Sequence, residues 1–568
     1  MTLYGNLRFG RYVRLRSVVA IVLVTLTFAA SEEAAAQWRS VDGSGNNLVH
    51  SDWGAVDTPL ERQATAIYPG DGSGTTILEP PARANPRDIS NAIFAQGATS
   101  VLSSRGLTSG LWQWGQFLAH DIDLTGTDAA NGTADISVDA GDILGPSPIP
   151  FTRSNFATGT GTNGGNPRQQ INEITTYIDA SNVYGSDAVR AAELRMLAGG
   201  QLKTSAGNLL PLNTAGLPNA GGPDPGMFLA GDVRANEQVG LTAMHTLFVR
   251  EHNRLAGLLA TQNPALTDED LYQTARRIVG AEMQIITYNE FLPTLLGPGT
   301  PSSLGYVYDS AVNASMRNEF STAFYRFGHS MLDPNLLLVD NSGMTTGTLA
   351  LRDAFFNPDF LKTDPTRVDQ LLMGLSVQQA QEIDTLVVDD VRNFLFGPPG
   401  SGGMDLAALN IQRGRDHGLP DYNTLRVAYG LSPVTSFADI TLDATLQAQL
   451  ATMYGDVDNL DAWVGGLAED HLPSASVGPL VHAALVDQFT RLRDGDRFFY
   501  ASDAVLTGSD IMAIINLDEV SLTGMIELNT AMTNMRPDFF AVPEPSGLLL
   551  LVIASVTSGM YICSRRRK

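Results

Sequence analysis

The sequence predicts a mainly α protein, one large domain with long irregular loops and little β structure. Three observations lead there. Apolar residues recur at helical spacing in several stretches between Leu111 and Tyr500. Between those stretches lie segments rich in Gly, Asn, Asp and Pro, residues 38–100 and 198–226, whose turn chemistry predicts irregular structure wrapping the domain. No linker, repeat or shift in composition divides the middle of the 568 residues, although length alone would suggest three or four units. An apolar content of 43% supplies a core, and 17% charged residues is too little for disorder.

A formal charge of −24 argues against nucleic acid or an anionic membrane surface as a partner. Of 36 basic residues only Lys203, Lys362 and Lys568 are lysine, a bias suited to ion pairs and carboxylate clamps. The one cysteine, Cys563, lies in a C-terminal apolar segment, so a disulfide framework or a cysteine nucleophile in the globular part is excluded.

Residues 1–36 read as an export signal. Arg8, Arg11, Arg14 and Arg16 precede the apolar run Val18 to Ala30, and Ala34 to Ala36 supply small residues for cleavage before Gln37. An uncleaved anchor is the alternative.

The stretch around which the chain is organised is LWQWGQFLAHDIDLTG, Leu111 to Gly126. Thr108 and Ser109 can cap a helix start, and in that helix Trp112, Gln116, Ala119 and His120 share one face. An amide and an imidazole beside an indole suit a pocket. Asp121 and Asp123 follow at the helix's C-terminal end, where a carboxylate needs a positive partner such as a metal ion. The simpler reading is a buried helix whose His makes one hydrogen bond.

Further on, Gly159 to Gly164 is a formal GxGxxG, but no strand leads into it and Asn166-Pro167 follows, so it is a loop without a cofactor. In ITTYIDASNVYGS, Thr175, Tyr177, Asp179 and Ser181 alternate, as in an extended loop of hard oxygen donors or an ordinary half-buried strand. Leu241, Met244, His245, Phe248, His252 and Leu255 form a packed helix whose histidines read as core, with Arg234 and Glu237 just before it. Thr267 to Asp270 caps a further helix running to about Tyr288. Glu319 to Leu332 carries the apolar helical stripe Ala323, Phe324, Phe327 and Met331, with His329 beside Gly328. RGRDHGLP by itself reads as a surface turn, and helical patterns continue over residues 439–454 and 478–500. His50, His417, His471 and His482 carry no assigned chemistry.

WGQFLAHDIDLT resembles the distal-helix motif of the animal-type haem peroxidases (the peroxidase–cyclooxygenase superfamily, with myeloperoxidase and peroxidasin), and further segments match in the same order from about Ser40 to Tyr500. The resemblance implies a haem-peroxidase domain over residues 37–540 that binds haem b, reduces hydrogen peroxide and oxidises a halide, thiocyanate, phenol or other small reductant. It makes His120 the distal acid–base group, Arg234 the cation stabilising the leaving oxygen, and Gln116 the group orienting water or halide. His329 becomes the iron's axial ligand, Asn410 of LAALNIQRGRDHGLPDYN the partner of its other ring nitrogen, and Arg326 and Arg413 the propionate clamps. Asp121, Thr175, the Tyr177 carbonyl, Asp179 and Ser181 become a calcium site.

The chain also departs from its mammalian relatives, which attach haem through esters from an Asp before the distal His and a Glu after the distal Arg. The first position is Ala119, the second Glu237, and Gln238 stands where myeloperoxidase has a Met that bonds the haem. At most one covalent link, through Glu237, is therefore expected, and chloride oxidation becomes doubtful. The nearest rival, a fatty-acid dioxygenase of the same superfamily, places a radical-forming Tyr three residues before the proximal His, where this chain has Arg326. A non-catalytic adhesion protein on a retired peroxidase fold is the other alternative.

Residues 541–568 end the chain. Val542-Pro543-Glu544-Pro545, the apolar run Gly547 to Ile562 and Arg565 to Lys568 resemble the PEP-CTERM sorting tag of exported bacterial proteins. They also suit a short membrane anchor. An extracytoplasmic bacterial location and passage through export and sorting machinery follow as expectations.

Overall fold

The computed structural model describes residues 38–80 and 82–542; the predicted export signal lies outside them, as does the predicted sorting segment apart from Ala541 and Val542. Among the described residues the architecture is helical with two small sheets. One pairs residues 58–59 with 171–172, and the other is a hairpin of β1 (Asn335–Val339) and β2 (Thr345–Ala350). No helix of the described residues is long and apolar enough to cross a membrane.

The central helix α1 (Ser109–Ile122) begins where the sequence predicts, but for another reason. Thr108 does not cap it. Its hydroxyl donates to the Phe539 carbonyl at 2.6 Å, pinning the helix start to the chain's C-terminal region. Gly110 is required there, because a Cβ would come within 2.4 Å of the Phe539 ring.

Against α1 pack the one-turn helix α2 (Ser181–Tyr184), the long α3 (Val239–Gln262) and α5 (Arg367–Val377). The shared core is aromatic: Trp114, Phe117 and Phe248 are fully buried, with the Phe117 and Phe248 rings 4.8 Å apart. His245 lies edge-on to Phe117, and His252 sits between Tyr184 and the Gly200 carbonyl, so both are core residues. The helix predicted after Thr267 is α4 (Asp268–Ile286), closed by a reciprocal Thr267–Asp270 capping box and continued by a wider turn to Phe291.

Two helical predictions need correction. Glu319 to Leu332 is not one helix: a short helix over Asn318–Thr322 breaks at Ala323 (φ −127°) and resumes as a tight 3₁₀ turn over Phe324–His329. All four stripe residues are nevertheless buried, so the periodicity reported burial and not continuity. The last long pattern stops at Asp494, not Tyr500, because Gly495 fits closely under the Arg491 and Val312 carbonyls and Asp496 turns inward to Arg39. The earlier one begins at Ala444, capped by Asp443.

RGRDHG is the buried end of α6 (Leu406–Asp416) and no surface turn. Arg415, Asp416 and His417 are at most 2% exposed, because Asp416 binds Arg153 and the Ser154 N–H while His417 bridges Ser154 and Asn318. At its other end Asp405 caps the helix and holds Arg87 at 2.7 Å. The GxGxxG stretch is a turn-rich loop.

Candidate active site

Between α1 and the Phe324–His329 turn lies a cavity of about 270 Å³. Its walls include Trp112, Gln116, Ala119 and His120, the face of α1 that the sequence singles out. Arg234, Glu237 and Gln238 enter from the segment before α3, and Arg326 and His329 from the turn. Gly328 approaches Trp112, but a Cβ there would meet the Trp112 Cβ at 3.7 Å, ordinary contact.

His329 and Asn410 meet as expected, with the amide 2.7 Å from Nδ1. No hydrogen bond engages the other ring nitrogen among the described residues, so Nε2 is left for the cavity. Burial, reinforced by Arg326, pushes the imidazole down to about 3, so the ring is neutral and its lone pair available. Arg326 donates to the Asn410 oxygen at 3.1 Å and to the Ser321 carbonyl. With the amide nitrogen on Nδ1 the proton of the ring sits on Nε2; a half-turn of the Asn410 amide, which requires Arg326 to release the Asn410 oxygen, would put that oxygen on Nδ1 and free Nε2 to bind a metal.

On the facing wall His120 is also buried and held far below the usual imidazole value, chiefly by burial and then by Arg234. Its Nε2 is 3.6 Å from Glu237 Oε2 and its Nδ1 3.5 Å from Asp232 Oδ1. Asp232 escaped the sequence reading. It clamps Arg234 with both carboxylate oxygens, at 2.9 and 2.8 Å, and also takes the Arg234 N–H. Burial would raise Asp232, but Arg234 and His120 hold it below the ordinary carboxylate range, so it stays ionised. The only sequence signal for this was its place two residues before Arg234.

Gln116 donates to Glu237 at 3.0 Å and accepts from Gln238 at 3.1 Å. Burial raises the Glu237 carboxyl above its ordinary value, against the pull of Arg234. Asp123 does not join Asp121. It ends α1 on the cavity wall, its carboxyl raised by burial.

Arg413 is not on the wall. Its Nη1 is committed to Ser154, Asp416 and the Thr152 carbonyl, and its guanidinium stacks on Phe151. It still lies near enough to Arg326 to add to the lowering that burial imposes there, to about 10. A cavity with a free neutral imidazole nitrogen on one wall, a second imidazole opposite, and crowded arginines at one side fits a haem and its two propionates.

Of the predicted calcium donors, Asp121, Thr175, Asp179 and Ser181 gather, though not as a strand. Thr175, Tyr177, Asp179 and Ser181 are at most 2% exposed, and Ala180 is left-handed (φ 64°). The Asp121 carboxylate accepts N–H bonds from Asp179, Ala180 and Asn182, while Ser181 Oγ donates to the Asp121 carbonyl at 2.8 Å. Thr175 donates to Asp179. Burial and the neighbouring Asp179 push the Asp121 carboxyl up to about 8, and burial raises Asp179 too.

Comparison with known proteins agrees with this geometry. The chain is 36% identical over 506 residues to peroxinectin A of Dictyostelium discoideum, covering 86% of this chain and 93% of that one. The solved structure of peroxidase A from the same organism superposes with a TM-score of 0.81 at 34% identity, over 89% of this chain and all of that one. A fatty acid alpha-dioxygenase of Oryza sativa shares the fold, with a TM-score of 0.73, over 86% of this chain and 84% of that one, at only 21% identity. The family model described as animal haem peroxidase matches residues 38–540, and this chain belongs to that family.

Proposed function

We propose that the cavity is the reaction centre of a haem peroxidase that reduces hydrogen peroxide on the His120 side, with His329 holding the iron from the other. Membership of the family makes the protein an oxidoreductase using haem, peroxide and a reductant. The observation that carries the residue assignment is the His329–Asn410 pair on one wall of a cavity whose other wall bears His120, Arg234 and Gln116.

Haem, when bound, supplies the redox chemistry that accepts oxidising equivalents from peroxide and passes them to the reductant. The chain's residues do the rest. Neutral His120 takes the proton from the inner peroxide oxygen and returns it to the outer one. Arg234, fixed by Asp232, stabilises negative charge on the departing oxygen. Gln116 orients a water or anion with its amide N–H. Asn410 fixes the proximal ring, and Arg326, with Arg413 behind it, meets the propionates.

A calcium ion held by Asp121, Thr175, the Tyr177 carbonyl, Asp179 and Ser181 is supported by the gathering of those side chains around two buried carboxylates. The reductant we favour is bromide, iodide, thiocyanate or a phenol. A peroxidase is favoured over a fatty-acid dioxygenase because Arg326 stands three residues before His329. Tyr325, one residue further away, has a buried hydroxyl without a partner among the described residues. Export and an extracytoplasmic, envelope-associated location remain proposals from the terminal segments.

The test is haem content and peroxide reactivity. His329→Ala is expected to lose most bound haem, while His120→Ala keeps haem and loses peroxide reactivity. Equal haem loss in both would reverse or void the assignment of the two walls, and a colourless wild-type protein grown with haem would favour the adhesion reading.

A further inference from the structure

Gln116 sits at the end of a chain of three amides, and the direction of that chain is fixed by one backbone group. Gln238 is the N-cap of α3, and its Oε1 accepts the Gly240 N–H at 2.6 Å. A backbone N–H can only donate, so the oxygen of Gln238 must face the helix and its amide nitrogen must face away. That nitrogen donates to Gln113 Oε1 at 2.6 Å and to Gln116 Oε1 at 3.1 Å. Gln113 Nε2 adds a longer contact to Gln116 Oε1, 3.4 Å. With its oxygen taken from behind, Gln116 has only its NH₂ group to offer forward, and one of those hydrogens meets Glu237 Oε2 at 3.0 Å.

Gln113 is fully buried and Gln238 is 3% exposed, so water does not compete for these amides. The packing is close as well: a Cβ on Gly240 would lie 2.7 Å from Gln113 Oε1 and 2.9 Å from Gln238 Oε1. An amide free to turn over would present C=O or N–H to the cavity at similar cost. This one is not free.

We infer that Gln238 is a positioning residue of the reaction centre: by capping α3 with its oxygen it sets, directly and through Gln113, the polarity of Gln116, so that a hydrogen-bond donor faces the cavity. The remaining Gln116 hydrogen is thereby set to meet a small anion or a water in the cavity that Arg234 also lines. The inference rests on the proposed role of Gln116. It assigns a task to the position where the sequence departs from myeloperoxidase.

Asparagine separates the cap from the relay. Gln238→Asn still accepts the Gly240 N–H, because Asn is among the best N-caps, but its side chain is one methylene too short to reach Gln113 and Gln116. Gln113→Met removes the indirect branch with little change of volume and leaves the direct contact from Gln238 to Gln116. Bromide is titrated into the resting haem-loaded proteins and followed by haem absorbance, with haem content and melting temperature measured alongside.

Gln238→Asn is expected to keep the wild-type melting temperature and to bind bromide about tenfold more weakly, the scale of one lost hydrogen bond to an ion. Gln116→Leu should weaken it at least as much, and Gln113→Met less, since the direct contact from Gln238 survives there. In turnover the loss should fall on KM for bromide more than on kcat. Wild-type bromide affinity in both Gln238→Asn and Gln113→Met, with weak binding in Gln116→Leu, would overturn the relay and leave Gln116 in its role. Undiminished binding in Gln116→Leu, or no titration in the wild type, would remove the role of Gln116 and the inference with it.

Discussion

At the scale of single residues, the proposed mode of haem attachment turns on Ala119 and Glu237. Ala119 lines the cavity where the mammalian enzymes carry an ester-forming Asp, and a methyl group offers no bond. Glu237 has its Oε2 shared between Gln116 and His120, so one carboxylate is present at the cavity wall. We expect peroxide treatment to form at most one ester, through Glu237. Acid–organic extraction followed by mass spectrometry should find haem only on the peptide containing Glu237, and Glu237→Gln should release all of it. Haem on the peptide containing Ala119, or retention in Glu237→Gln, would contradict this. With fewer bonds we expect a less distorted macrocycle of lower potential, and bromide, iodide, thiocyanate or phenol oxidised in preference to chloride.

At the scale of elements, the C-terminal end of α1 and the loop before α2 are one unit. Asp121 receives three backbone N–H groups from that loop and its approach to α2, and Asn182 returns a hydrogen bond to the Phe117 carbonyl at 2.8 Å. If calcium neutralises Asp121 and Asp179, removing it leaves two buried carboxyls that must take up a proton or repel each other beside the helix that carries His120. Exhaustive chelation, or Asp179→Ala, should then lower both the melting temperature and peroxide turnover. Unchanged values, with no calcium found by elemental analysis, would show that the loop stands without the ion.

At the scale of the whole molecule, buried carboxylates away from the cavity make stability depend on pH. Burial, with a smaller push from Asp538, raises Glu290 from 4.5 to about 7, against a hydrogen bond from the Leu522 N–H. Asp384 is raised to about 7 and Asp333 to about 6, again mainly by burial. Each therefore binds its proton more tightly folded than unfolded. Their stabilisation is complete below the unfolded value and is lost as pH rises through the folded one, so their contribution falls between about pH 4 and 7, while the buried histidines held below their ordinary value, His120, His245, His252, His329 and His417, contribute in the opposite sense. Glu290→Gln keeps the acceptor for Leu522 and removes the buried charge. Its melting temperature should match wild type at pH 4 and exceed it at pH 8, by at most ~3 kcal/mol in stability. Equal melting temperatures at pH 8 would show that the folded protein does not resist ionising Glu290.

The sequence by itself determined the fold class and the histidines, arginines and Gln116 of the cavity wall, but not its apolar side formed by Leu351, Phe355, Val391, Leu395 and Phe396. Helical periodicity put Trp112, Gln116, Ala119 and His120 on one face because neighbours on a helix are fixed by local geometry, and matched motifs supplied His329, Asn410 and Arg234. Spacing could not show that the stripe around Phe324 breaks at Ala323, since burial and helical continuity leave the same apolar pattern. Nor could it show that RGRDHG is interior, because its charges are satisfied by Arg153 and Asp461, distant in the chain. Only the tertiary structure turned Arg413 toward Ser154, set Asp232 against His120, and joined Gln238 to Gln113 and Gln116. Side-chain hydrogen bonds between separate elements depend on which donors and acceptors meet after packing, and that is a property of the folded chain.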